Sequence, residues 1–292
     1  MNTFEKTDIP VEVIPLVEEV EKLIKPNKIK YFLDKSLGNA MHGVTSHDSE
    51  GNCIITLFSE DIDTLILTHE LLHELFGKNV MPRLVLRKDN GFVNNIADEL
   101  QCYLEHKWII AEQKRRYPEM DVLKIHANLK NNDYPAETEF ISKVQCILCL
   151  TDLIYIYTEL FQENKDFLIE NFPKQLEYAM RLASNFPDEA VYSLKDTRIY
   201  LINALNTWKE IFNECGQDTK MLSTIYLTPI FSKRELTLQT NKVLGYNLNC
   251  LVNQSTGEPI HSLQLLSDNS LCGLLPIPTQ KVPLFERDFN TM

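Results

Sequence analysis

A chain of 292 residues, 44% hydrophobic and 24% charged, has the composition of a globular protein large enough to bury one large core or two smaller ones. Its net charge of −12 argues against a general phosphate-binding surface, hence against nucleic acid, and the one basic cluster, Lys114-Arg115-Arg116, closes a predicted helix where cations suit the macrodipole. No apolar run reaches the roughly 18 residues that a membrane-spanning helix needs, the first residues lack the pattern of a secretory signal, and seven scattered cysteines in mostly apolar surroundings suit buried thiols in a reducing cytoplasm.

In chain order, an amphipathic helix is predicted over Val11 to Lys25, stopped by Pro26. Three extended segments follow, "KIKYFL", "NAMHGVT" and "NCIITLFS". The last two are joined by the polar stretch "SHDSEGN", whose Glu-Gly-Asn has the composition of a turn. A helix then starts near Asp61 and stops at Gly77, with Asp61 and Asp63 favouring its positive end. Past Pro82 a strand-like "RLVLR" leads through "DNG" into a long helix from about Phe92 to Arg116. The region from Pro135 to about Cys215 reads as three or four helices broken near Pro173 and Pro187. After that, "KVLGYNLNCLVNQSTGEPIHSLQLL" alternates around a Ser-Thr-Gly turn and predicts a β-hairpin, before a proline-rich end. The simplest partition is a catalytic-type unit over residues 1–134 and a helical extension with a C-terminal β-hairpin over 135–292, in an α+β fold.

The helix before Gly77 carries the most specific signal, "HELLH". Residues i and i+4 share one helical face, so His69 and His73 can each present an imidazole nitrogen to one ion, and zinc is the metal this spacing suits. Glu70 follows the first histidine and can take a proton from water that zinc has made acidic. The surrounding Leu65, Leu67, Leu71, Leu72, Leu75 and Phe76 belong to a core helix, and core helices rarely admit two histidines and a glutamate without partners.

Catalytic zinc takes three protein ligands and keeps one open position. The long helix offers candidates in "FVNNIADELQCYLEH". Glu99 is the favoured third ligand; Asp98 is its nearest rival or a partner for a histidine N–H, and His106, which would make a three-histidine site, and Glu105 are further alternatives. An extended edge formed by "CIITLFS" just before the motif helix could receive a peptide by main-chain hydrogen bonds.

With "HELLH" and the downstream Glu99, the chain resembles the zincin metallopeptidases, and among them the glutamate-ligand gluzincins. The order of a small hairpin, an edge strand, the HExxH helix and a nearby acidic helix is similar to that of the ImmA/IrrE-type domain, over about residues 28–110. That resemblance implies a zincin-like core, zinc held by His69, His73 and Glu99, and Glu70 as the general base. It also implies hydrolysis of an intracellular peptide or protein. Leu72 stands where that family has glycine, and "NNIADE" matches its third-ligand segment only loosely. The alternative reading is a zincin-like binding or regulatory module without turnover.

The remaining features have plainer readings. Cys146 and Cys149 in "CILC" read as core thiols, His42 and His47 as loop histidines near the hairpin turn, and the "YIYTELF" stripe as helix core. Tyr31 and Tyr103 could serve as oxyanion donors, but no spacing rule selects them. His126 and His261 have no recognisable partner.

Overall fold

A computed structural model describes residues 2–35, 42–79, 84–86, 91–121, 140–189, 193–227, 229, 231, 233–238, 242–252, 259–267 and 271–275. His126, the Ser-Thr-Gly turn and the proline-rich end lie outside these residues. The chain folds into two compact units, each drawn from several stretches. The first comprises Met1–Met81, Cys102–Leu176 and Asp188–Val191, and the second Pro82–Gln101, Glu177–Pro187 and Tyr192–Met292.

The first unit holds the motif. Strand β1 (Asn2–Phe4), helix α1 (Ile14–Ile24), strands β2 (Ile29–Leu33), β3 (Gly43–His47) and β4 (Cys53–Leu57), and helix α2 (Thr64–Asn79) come in that order. The strands form one mixed sheet, ordered β1-β2-β4-β3. β2 and β4 run parallel, whereas the β1–β2 and β3–β4 pairs are antiparallel. The expected edge strand, β4, is therefore an interior strand, and the edge nearest it is β3. Burial is the reason: Cys53, Ile55 and Leu57 are fully buried, whereas Ser46 and His47 of β3 are exposed.

The β3–β4 connection is a tight turn. Asp48 accepts a backbone hydrogen bond from Gly51 at 2.9 Å, and its carboxylate accepts from the Asn52 backbone and side chain. Gly51 takes φ 81°, the left-handed conformation that glycine adopts without strain.

The predicted first helix is present with Pro15 in its opening turn, a position where its missing N–H costs nothing. Its buried Leu16, Val17, Val20 and Ile24 share one core with Tyr31, Ile55, Leu57, Ile66, Leu67 and Leu71. Asp63 caps α2, its carboxylate accepting from the backbone N–H of Leu65 at 2.9 Å. The helix does not stop at Gly77 but runs on to Asn79. Burial of Leu75 and Phe76 on its last turns outweighs the roughly 1 kcal/mol that an internal glycine costs.

Helix α3 (Gly91–Arg116) enters the first unit from Cys102 onward. There Ile109 joins the core and Trp108 lies against Phe76 with ring centroids 5.2 Å apart. Arg115 and Arg116 at its end pair with Glu112, and Arg116 also with Glu19 of α1, so the basic cluster is a solvated, ion-paired helix end. Helix α4 (Phe140–Tyr155) braces α3, since Tyr103 donates to the Leu148 carbonyl at 2.8 Å and Lys107 to that of Tyr155 at 2.8 Å. Cys146 is buried on α4 while Cys149 is exposed. Helix α5 (Thr158–Asn171) also lies wholly in this unit.

Helix α6 (Pro173–Ala183) begins in the first unit and ends in the second. The second unit contains strand β5 (Leu84–Leu86), which pairs with β6 (Ile225–Leu227), and helix α7 (Leu194–Glu214). Ser193 caps α7 through a reciprocal pair with Asp196. The predicted hairpin is β7 (Leu244–Val252) against β8 (Pro259–Leu265), and β9 (Leu271–Leu275) extends it to three strands. Pro173 and Pro187 flank α6 as the proline breaks predict.

The α+β class thus holds, in a mostly helical chain with small sheets. The arrangement does not reproduce the zincin-like core that the resemblance implies, because the strand before the motif helix is paired on both sides. Among the described residues, no helix is long and apolar enough to cross a membrane.

Candidate metal centre

Three histidines of the first unit converge: His69 and His73 on α2 and His106 on α3. One nitrogen from each lies within 4.8 Å of the others, and the ring centroids are 4.8, 5.1 and 5.1 Å apart. The Nε2 atoms of His69 and His73 are 3.1 Å apart. In a tetrahedral zinc site with bonds near 2.0–2.1 Å, two ligand nitrogens stand about 3.3 Å apart, so the pair is already at ligand spacing.

The outer nitrogens are held as metal-binding imidazoles require. His73 Nδ1 donates to Glu105 Oε1 at 2.8 Å. His69 Nδ1 faces the Gln113 amide oxygen at 3.4 Å, a long contact whose sense is fixed by the rest of that amide. Gln113 Nε2 donates to the Leu65 carbonyl at 3.0 Å and to Thr68 Oγ1 at 2.9 Å, so its oxygen must point at His69. Each contact directs a proton to Nδ1 and leaves the Nε2 lone pair for an ion. Gln113 and Thr68 are fully buried, so this orientation is built into the core.

Charge in the cluster is arranged around His73. Burial opposes its protonation, but the hydrogen bond and charge of Glu105, followed by the charge of Glu70, outweigh it and raise the pKa. Glu70 is buried at 5% exposure, and desolvation raises its pKa against the opposing effects of His73 and Thr45. Its carboxylate accepts from Thr45 Oγ1 at 2.7 Å. An added Cβ at Gly43 would stand 2.8 Å from Glu70 Oε1, so a residue without a side chain lets β3 approach this glutamate.

Of the residues predicted to bind metal, the structure brings together His69 and His73 and adds His106. It does not bring Glu99 to them: Glu99 sits about two turns earlier on α3, roughly 10 Å along the axis, and is exposed. Asp98 is also exposed. Glu105 holds a histidine from outside. Thr45, Thr68 and Gln113 were not singled out by the sequence. Gln113 alone left a trace there, seven residues after His106 and hence on the same helical stripe. Tyr103 bonds to Leu148, and Tyr31 belongs to the α1 core.

The donor set fits a divalent zinc ion: three imidazoles, two with fixed outer hydrogen bonds, and a buried carboxylate next in sequence to one of them. Compared with known proteins, the chain matches no family model, no curated protein and no solved structure.

Proposed function

We propose that the chain is a zinc-dependent hydrolase of peptide bonds, with the metal held by His69, His73 and His106 and Glu70 as general base. The observation carrying this reading is the 3.1 Å approach of the two Nε2 atoms, with each Nδ1 facing a side-chain oxygen. Zinc so held supplies a Lewis acid that makes water acidic near pH 7 and polarises a carbonyl.

The protein's own groups supply the rest. Glu105 and Gln113 hold the imidazoles in the binding tautomer. Burial makes the Glu70 carboxylate a stronger base than an exposed glutamate, and Thr45 keeps it oriented toward β3. Strand β3 is the edge of its sheet and touches α2 through Thr45, so an extended peptide could add to it beside the site.

Glu70→Gln tests the reading. It should keep the metal and lose hydrolysis of an unfolded peptide mixture by at least the 100-fold typical of a general base. Hydrolysis at the wild-type rate by Glu70→Gln would remove Glu70 as the base.

A further inference from the structure

A second group of ligand-type side chains lies where β3, β4 and α2 meet. His47, Cys53 and Glu74 each bring one donor atom within 4.8 Å of the others. His47 and Cys53 are direct partners across the β3–β4 pair, so their side chains leave the same face of the sheet. Glu74 comes from α2, one residue after His73 and one turn after Glu70.

These groups are poorly explained as core filling. Glu74 is 4% exposed, and its Oε2 lies 2.9 Å from His47 Nε2. Its Oε1 is buried without a hydrogen bond among the described residues, with Lys78 Nζ at 3.5 Å. A buried carboxylate with one oxygen not hydrogen-bonded costs stability. Cys53 is fully buried beside it.

We propose that His47, Cys53 and Glu74 form a second binding site for a thiophilic divalent cation such as zinc, which clips the β3–β4 hairpin to α2. Thiolate, imidazole and carboxylate are the donor types zinc takes, at bond lengths of about 2.0–2.3 Å. The His47 and Glu74 donors, 2.9 Å apart, are already within tetrahedral spacing, and the Cys53 sulfur, no more than 4.8 Å from either, needs to come to about 3.5 Å. One thiolate and one carboxylate balance the cation's two charges, while neutral His47 adds none. Binding releases the Cys53 proton to solvent, with no change of oxidation state. His47 is exposed and gives the entry path, and Lys78, whose side chain is 41% exposed, can turn outward as the ion enters. The clip would fix β3, and with it Thr45, against the helix that carries Glu70. The site itself does not depend on the three-histidine reading.

Cobalt(II) separates the two sites, because only a thiolate ligand gives a near-ultraviolet sulfur-to-cobalt charge-transfer band. Metal-free full-length protein is titrated with cobalt(II) as wild type, His47→Gln, Cys53→Ser and His106→Ala, with folding of each checked by circular dichroism. The expected result is two equivalents and the band in wild type. His47→Gln and Cys53→Ser should each keep one equivalent and lose the band, and His106→Ala should keep the band. His47→Gln is a surface change, so it serves if Cys53→Ser fails to fold. A wild type that binds one equivalent without the band overturns the second site and leaves the three-histidine site standing. A band undiminished in His47→Gln and Cys53→Ser also overturns the proposal. A single equivalent with the band, unchanged by His106→Ala, supports this site and refutes the other.

Discussion

Replacing Thr45 with valine removes one hydroxyl from the wall of the candidate site and little else. That hydroxyl stands 2.7 Å from Glu70 Oε2 and 2.9 Å from the Glu70 carbonyl oxygen. A hydrogen bond to a charged group contributes about 1.5–3 kcal/mol, against about 0.5–1.5 kcal/mol for a neutral one, so losing it disfavours the ionised carboxylate and Glu70 should titrate higher in Thr45→Val. The stability consequence has a definite sign. Glu70 is already held above 4.5 by burial, so its ionisation costs the fold stability at neutral pH, and the variant raises that cost. Thr45→Val should therefore be about 1.5–3 kcal/mol less stable than wild type above both folded-state pKa values. As the pH falls through those values Glu70 protonates in both folded proteins, and the difference should shrink toward the roughly 0.5–1.5 kcal/mol of a neutral hydrogen bond. Urea unfolding of the metal-free proteins across pH 4–8, with carboxyl carbon NMR for Glu70, gives both quantities. A stability difference independent of pH, or a Glu70 pKa that falls in the variant, would refute the reasoning.

Two further substitutions probe the same geometry. Gly43→Ala places a methyl group 2.7 Å from Ile66 Cγ2 and 2.8 Å from Glu70 Oε1, so it should destabilise the fold by about 1–3 kcal/mol through overpacking. An unchanged urea midpoint would show that β3 does not approach α2 this closely. Glu105→Gln keeps an acceptor for His73 but removes the charge. The His73 pKa should then fall from its raised value, and zinc affinity should drop about 10–100-fold. NMR titration of the metal-free protein and competition with a chromophoric chelator measure the two effects, and a His73 pKa that stays put would contradict them.

Much of the frame is legible in the sequence because it follows from local periodicity and breakers. The leucine-rich motif helix, the long helix ending at Arg116, the proline-bounded helices and the β7–β8 hairpin all arise from patterns of a few turns or residues. The pairing of β2 with β4 is different: it joins segments separated by the whole of β3, and alternation within a strand cannot say which neighbour it will take. Gly77 misleads for a related reason, since glycine marks a helix end only where the chain needs a left-handed residue, and here tertiary burial of Leu75 and Phe76 carries the helix onward. The third histidine shows the same limit within the site. Glu99, His106 and Gln113 repeat every seven residues and share one stripe of α3, so periodicity selects the face but not the turn. The register between α2 and α3 selects the turn. It is set by contacts such as Phe76 on Trp108 and Ile109 in the core, which bring His106 level with His69 and His73.

The most direct test of the three-histidine centre is the zinc content of purified wild type, His106→Ala and Glu99→Ala, measured by elemental analysis after equal dialysis against a weak chelator. The geometry predicts that His106→Ala loses one equivalent relative to wild type, while Glu99→Ala loses none. A wild type without zinc, or a His106→Ala protein holding as much as wild type while Glu99→Ala is depleted, would contradict it.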